Sequence, residues 1–256
     1  MVESVGPMHR LLPVVTGAIL LAFWHLTTAL GVFPPATIPP PVDVVHGFGQ
    51  ELRSGRLLAD ITASLYRVGV AFTLSVVLAV PLGLVVGRVR WVRAALLPWI
   101  NFFRSLSPIA WIPFAIIWFG IGDAPAIFII VLATSFQLVL ATAAAAASVP
   151  QVYYRVADDL GYSKVAMLTR VTLPAIMPQL STALRVAIGV AWMVVVAAEM
   201  LGVQSGLGYL ISDGRSALRM DLVVVGMITI GVIGIALDLL FARIALIPSV
   251  RWGFER

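Results

Sequence analysis

Few side chains in this chain could do chemistry, and most of them are stranded in long apolar runs. Arg104 lies ten residues into the run Ala94–Phe119, Gln137 lies deep in Pro125–Ala147, and Arg185, Trp192 and Glu199 are spaced by seven in Gln179–Leu201. An ionisable group inside an apolar span is costly and marks a functional candidate. At 3.6 residues per turn, a seven-residue spacing drifts by only about 20° per step, so Arg185, Trp192 and Glu199 form one stripe. That stripe is expected to face a protein interior or a cavity. Arg185 near one end and Glu199 near the other could both reach the membrane interfaces, and for Arg185 this is the simpler reading. Nothing near Glu199 in sequence neutralises it. Arg104, about 15 Å deep in a straight helix, reads two ways. It is a positive point beside an anion path, or a tie to carbonyls freed by Pro108 and Pro113. Arg67 and Asp238 fall near run ends and read as structural.

No catalytic set accompanies these residues. The three histidines, His9, His25 and His46, are scattered and suggest no metal site, and there is no cysteine for thiol or disulfide chemistry. A phosphate-binding GxxxxGK[ST] loop is impossible, because the only lysine, Lys164, follows Ser163.

One stretch breaks the apolar pattern. Residues 155–178, RVADDLGYSKVAMLTRVTLPAIMP, carry Arg155, Asp158, Asp159, Lys164 and Arg170 and cannot be a membrane span. The segment reads as a polar helical loop over residues 150–178. Asp158 and Asp159 suit a helix start and Arg170 the opposite pole of the dipole. Leu160, Lys164, Met167, Leu168 and Val171 recur at helical steps. Gly161 permits a sharp bend or close approach of another chain. Pro174 and Pro178 are expected to stop one helix and set up the next.

The rest of the chain must hold these groups in a bilayer. Of 256 residues, 61% are hydrophobic and only 11% charged, against roughly half and a quarter in soluble domains. The chain reads as one all-α polytopic membrane domain. Six spans are predicted at residues 11–30, 61–86, 94–119, 125–147, 179–201 and 222–247. Each is long enough to cross about 30 Å of hydrocarbon. The first reads as an uncleaved span rather than a signal peptide. Five prolines between Phe33 and Pro41 predict an extended loop, and residues 41–60 a short surface helix. Pro81 and Gly83 are expected to kink the second span, and the alanine-rich end of the fourth allows close helix contact. With an inside N-terminus, ten Lys/Arg lie in inner segments (Arg10, Arg88, Arg90, Arg93, Arg155, Lys164, Arg170, Arg243, Arg251, Arg256). Four lie outside (Arg53, Arg56, Arg215, Arg219). Both termini and the polar loop are therefore expected inside. The net charge of +5 belongs to this asymmetry rather than to nucleic-acid binding.

The spacing Gly161, nine residues, Val171, one residue, Leu173, Pro174 resembles the coupling loop of permease subunits from ABC importers. The family pattern opens Glu-Ala-Ala. Here those places hold Arg155, Val156 and Ala157, so only the second alanine matches, and Asp158 or Asp159 is placed to substitute for the missing glutamate. Residues 64–72, 107–123 and 191–207, with GLGYLI, resemble one subfamily, and the likeness runs from about Pro39 to the C-terminus. That subfamily serves importers of sulfonates, taurine, nitrate and bicarbonate, and some thiamine-precursor systems.

The resemblance implies a permease in the bacterial inner membrane carrying a small anion. Its implied partners are an ATP-binding ABC subunit, a soluble substrate-binding protein and a second copy of the chain. The chain itself would bind no cofactor, and ATP would sit on the partner subunit. It implies coupling residues Ala157, Asp158, Asp159, Gly161, Leu173 and Pro174. Arg104, Gln137, Trp192 and Glu199 are the candidates for the path. Two other classes compete. An ion-coupled secondary transporter would need no ATPase, but no internal repeat is evident. A membrane enzyme would need a carboxylate, histidine or serine cluster that is absent.

Overall fold

The computed structural model describes residues 7–34 and 36–244, and it is helical almost throughout. In chain order the helices are α1 (Pro7–Ala29), α2 (Pro41–Arg53), α3 (Arg56–Arg88), α4 (Arg90–Ser105), a 3₁₀ turn (Pro108–Trp111) and α5 (Ile112–Phe119). Then come α6 (Asp123–Ser148), α7 (Gln151–Asp159), α8 (Lys164–Met167), a π turn (Leu168–Thr172), α9 (Leu173–Gly202), α10 (Leu207–Ser216) and α11 (Met220–Ile244). Five of these stretches are long and apolar enough to cross a membrane, and α4 with the 3₁₀ turn and α5 forms a sixth, bent by 87°. The expected residues 1–6 of the polar lead, the end of the sixth span and Arg251 and Arg256 lie outside the described residues.

Helix register fixes the relative directions. Arg67 meets Asp123, Ser75 meets Thr134, and Gly83 and Gly87 meet Thr142 and Ala143. The offset stays nearly constant, so α3 and α6 run parallel. The chain between them must therefore cross back, and the bent α4–α5 pair is that crossing. α6 and α9 are antiparallel, because Ala126 and Ile129 pack in one cluster with Ala198 and Val203, and Leu138 and Ala145 in another with Ile176 and Leu180. α9 and α11 are antiparallel too, through Trp192 with Ile230 and Arg185 with Asp238.

Close packing of α3 on α6 depends on small residues. A Cβ on Gly83 would meet the Val139 carbonyl at 2.7 Å, and one on Gly87 the Ala143 carbonyl at 2.5 Å. The buried Ala143, Ala145 and Ala146 form the opposing surface, as the alanine run suggested. Gly87→Val should destabilise the fold by about 1–3 kcal/mol, because backbone cannot yield. Gly69→Ala, with open space around it, should be neutral or slightly stabilising. Thermal unfolding of the two variants in detergent checks this, and equal midpoints would mean the α3–α6 contact is looser than described.

Two expectations are corrected. The surface helix over residues 41–60 is two elements, because Gly55 at φ 78° ends the first and Arg56 already begins the second span. α3 runs on as one helix through Pro81. The third span is broken ahead of Pro108, as its prolines predict. Leu106 and Ser107 are extended ahead of Pro108, which cannot donate to a helical ladder. Finally, Pro174 does not stop a helix. It sits in the first turn of α9, and the π turn before it, where Leu173 N–H reaches the Leu168 carbonyl, absorbs the missing donor. Residues 164–202 thus run as one rod from the polar loop into the bilayer.

Candidate functional site: polar loop, buried lock and exposed face

The polar loop is a helix–turn–helix. α7 ends in a Schellman turn: Tyr162 N–H donates to the Ala157 carbonyl (3.0 Å) and Gly161 N–H to the Asp158 carbonyl (2.9 Å). Gly161 takes φ 71°, and nothing lies within 4 Å of where its Cβ would be. It is required for the bend, in a conformation that disfavours other residues. Asp158 and Asp159 therefore close a helix instead of opening one, and both are exposed. The helix start belongs to Ser163, whose Oγ accepts from Ala166 N–H at 3.2 Å. Arg88 at the C-terminal end of α3 stacks on Tyr154 at 3.4 Å, and Tyr154 lies within 3.3 Å of the Thr172 hydroxyl, so α7 is braced against both rods.

The loop carries an exposed apolar surface. Val152, Tyr153, Val156, Leu160 and Val165 are each more than half exposed. A groove of about 400 Å³ runs between α7 and the rod, lined by Tyr153, Leu160, Tyr162, Arg170 and Val171 among others. Ala157 lines its floor, Leu173 is half-buried and Pro174 exposed. Exposed apolar groups ringed by charge mark a protein-binding surface.

At the opposite end of the bundle lies a lock that the sequence did not reveal. Glu199 is fully buried, and Arg67 is 2% exposed. Arg67 Nη1 donates to Glu199 Oε1 at 2.7 Å, and Ser64 Oγ and Gly208 N–H donate to Oε2, each at 2.9 Å. Arg67 also reaches Asp123 and both oxygens of Ser205. Asp60 accepts from Gly206 N–H at 2.8 Å. The GLGYLI stretch is thus the start of α10 pressed onto two carboxylates. A Cβ on Gly208 would meet the Val196 carbonyl at 2.4 Å, so only glycine fits. The available signal was Asp60, Ser64 and Arg67 at i, i+4 and i+7, one polar face on an apolar span.

The seven-residue stripe divides accordingly. Glu199 belongs to the lock. Trp192 is buried and donates to the Ile230 carbonyl at 3.0 Å, forming a wall between α9 and α11. Arg185 does not merely reach an interface but forms a bidentate pair with Asp238. Gln137 is exposed in a cleft of about 500 Å³ between α6 and α9, with Ala141, Ala144, Ser148, Gln179 and Thr182. Arg104 is exposed in the last turn of α4, beside the break. The helix ends one residue later, so Arg104 lies beside the 87° bend rather than partway along a straight span.

The described residues thus form a bundle with a broken span, an exposed cleft lined mostly by small apolar residues with a few polar groups, and a helix–turn–helix standing off one end. Residues 79–247 match the family of binding-protein-dependent transport system inner membrane components, and the chain belongs to that family. A probable ABC transporter permease of Brucella melitensis is 38% identical, with 86% of this chain and 89% of that protein covered. The taurine transport permease TauC of Escherichia coli is 34% identical over 88% and 83%. The nitrate import permease NrtB of Synechocystis is 31% identical over 88% and 84%. In fold, the chain is similar to a chain of the inward-facing MetNI methionine ABC transporter. The TM-score is 0.61 at 19% identity, covering 75% of this chain and 98% of that one. The protein is a multi-pass permease subunit of an ABC importer, of the taurine, sulfonate, nitrate and bicarbonate type.

Proposed function

We propose that this permease works as a homodimer whose two polar loops dock on two ATP-hydrolysing subunits, and that it imports a small anion handed over by a soluble binding protein. The observation that carries the reading is the exposed apolar surface of α7 and Leu160 together with the rod from Lys164 to Gly202. A push on the loop reaches the middle of the bilayer with one brief π irregularity on the way. ATP and its chemistry belong to the partner subunit. Both termini and the loop face the cytoplasm, as the charge asymmetry requires. The anion class is taken from the relatives' names. Arg104 beside the broken span and Gln137 in the α6–α9 cleft face the path, and the second copy closes it.

The docking is tested by placing a photo-crosslinking residue at Leu160 or Val165, both more than two-thirds exposed. A single adduct to an ABC ATPase is expected in cell membranes. Adducts to lipid alone would overturn the assignment of this surface.

A further inference from the structure

We infer that the Arg185–Asp238 pair is the charge filter of the translocation path, a point where a small oxyanion is held briefly by a half-occupied guanidinium. The inference deepens the import reading and rests on it.

The pair lies deep. α6 is 26 residues long, about 39 Å, and so overhangs a 30 Å hydrocarbon core by about 4–5 Å at each end. Arg185 is one residue from Val186, which lines the α6–α9 cleft together with Gln137. The Gln137 level is about 15 Å from the Ser148 end of α6, hence about 10 Å inside the hydrocarbon. Asp238 meets Arg185 from the last third of α11. Yet the two side chains are 44% and 54% exposed. An ion pair open to lipid tails at this depth is costly, so it faces water or a protein-lined cavity.

The surroundings agree. α9 exposes Gln179, Thr182, Arg185, Val186, Gly189 and Met193 along the side between α6 and α11. The outward residues of α11 are by contrast apolar, such as Val232, Ile235 and Leu239. Beside the pair a cleft of about 350 Å³ opens between α9 and α11, lined by Gly189, Gly231, Gly234, Trp192 and apolar side chains such as Met193 and Leu237, so that Arg185 and Asp238 are its charged groups. The volume suits a small oxyanion with some of its water.

The hydrogen bonding leaves a place for it. Arg185 Nε donates to Asp238 Oδ1 at 2.7 Å, and Nη2 to Oδ2 at 2.6 Å. Nη1 is not used in this pair, and a guanidinium carries five donors. An approaching oxyanion can take Nη1 while Asp238 keeps the other edge. The carboxylate then weakens the net attraction. A path needs binding that is strong enough to admit the ion and weak enough to release it. An uncompensated arginine would hold the anion longer, and a lone carboxylate would repel it.

The test compares Arg185→Gln, Asp238→Asn and the exchanged pair Arg185→Asp/Asp238→Arg in the purified complex of permease, ATPase and binding protein in proteoliposomes. The probe is whichever of taurine, nitrate or bicarbonate the unaltered complex accumulates. Arg185→Gln should lower uptake at least tenfold. Asp238→Asn should lower KM for transport and slow turnover only a few-fold, because the anion leaves more slowly. The exchanged pair should assemble but not regain uptake. Equal losses in both single variants with full recovery in the exchange would mean a structural clip and overturn the inference. If Arg185→Gln fails to assemble, Gly231→Leu decides. Its Cβ meets nothing within 4 Å, so the side chain can enter the cleft that Gly231 lines while both charged residues are kept. Reduced uptake supports the filter, and normal uptake overturns it. Uptake by the unaltered complex is the separate check on the import reading itself.

Discussion

Arg67→Ala should be the most damaging single substitution in this chain, lowering the stability of the folded permease by about 3–5 kcal/mol. Removing the guanidinium leaves Glu199 fully buried beside α10 with its counter-charge gone. It also strips hydrogen bonds from Ser205 and the partner from Asp123. Three segments far apart in sequence lose their common tie, namely α3, the start of α6 and the turn into α10. Glu199→Gln should cost less, because an amide oxygen still accepts from Ser64 and Gly208 while Asp123 continues to balance Arg67. Asp123→Asn should cost least, since Asp123 is half exposed and exposed charge partners contribute little. Thermal unfolding in detergent should give that order. An Arg67→Ala protein as stable as the parent would dissolve the lock.

The second large effect is expected at Gly161, on function rather than folding. The Schellman turn needs a left-handed residue, which costs other residues about 1–2 kcal/mol. A side chain would clash with nothing, so the penalty falls on the turn alone and the spans are untouched. Gly161→Asn should be tolerated best, since asparagine enters this conformation readily. Gly161→Ala should be intermediate. Gly161→Val should reorient α7 against the rod, leaving the complex present in membranes while transport falls by on the order of tenfold or more. ATP hydrolysis should then persist without responding to substrate. Transport by Gly161→Val at the parent rate would show that the turn does not set the loop's docking geometry.

The parts of this fold that the sequence made legible are those governed by local rules. Long apolar runs had to become spans, and Gly161 and the flanking charges had to form a bent polar loop. What escaped was long-range. Nothing near Glu199 in sequence names Arg67, which is 132 residues away, although its polar neighbours on the same helical face hinted at a buried contact. Asp158 and Asp159 looked like a helix start because acidic residues suit that pole. The left-handed glycine two residues later decided the matter against the dipole. The proline rules failed at one place and held at another. Pro174 was absorbed by a π turn within a rod held at both ends, whereas Pro108, preceded by two extended residues, broke its span. Arg104 and Arg185 both stand differently from their reading in the sequence. Arg104 sits in the last turn of a helix beside an 87° bend, and Arg185, which read as an interfacial residue, is paired with Asp238 across α9 and α11.

The central claim is that this chain forms the path of an ATP-driven anion importer, and uptake by the purified complex in proteoliposomes tests it most directly. The account predicts that permease, ATPase and binding protein together accumulate taurine, nitrate, bicarbonate or an alkyl sulfonate only while ATP is hydrolysed, and that blocking hydrolysis stops it. Accumulation by the permease alone, driven by an ion gradient and abolished by an ionophore, would contradict it.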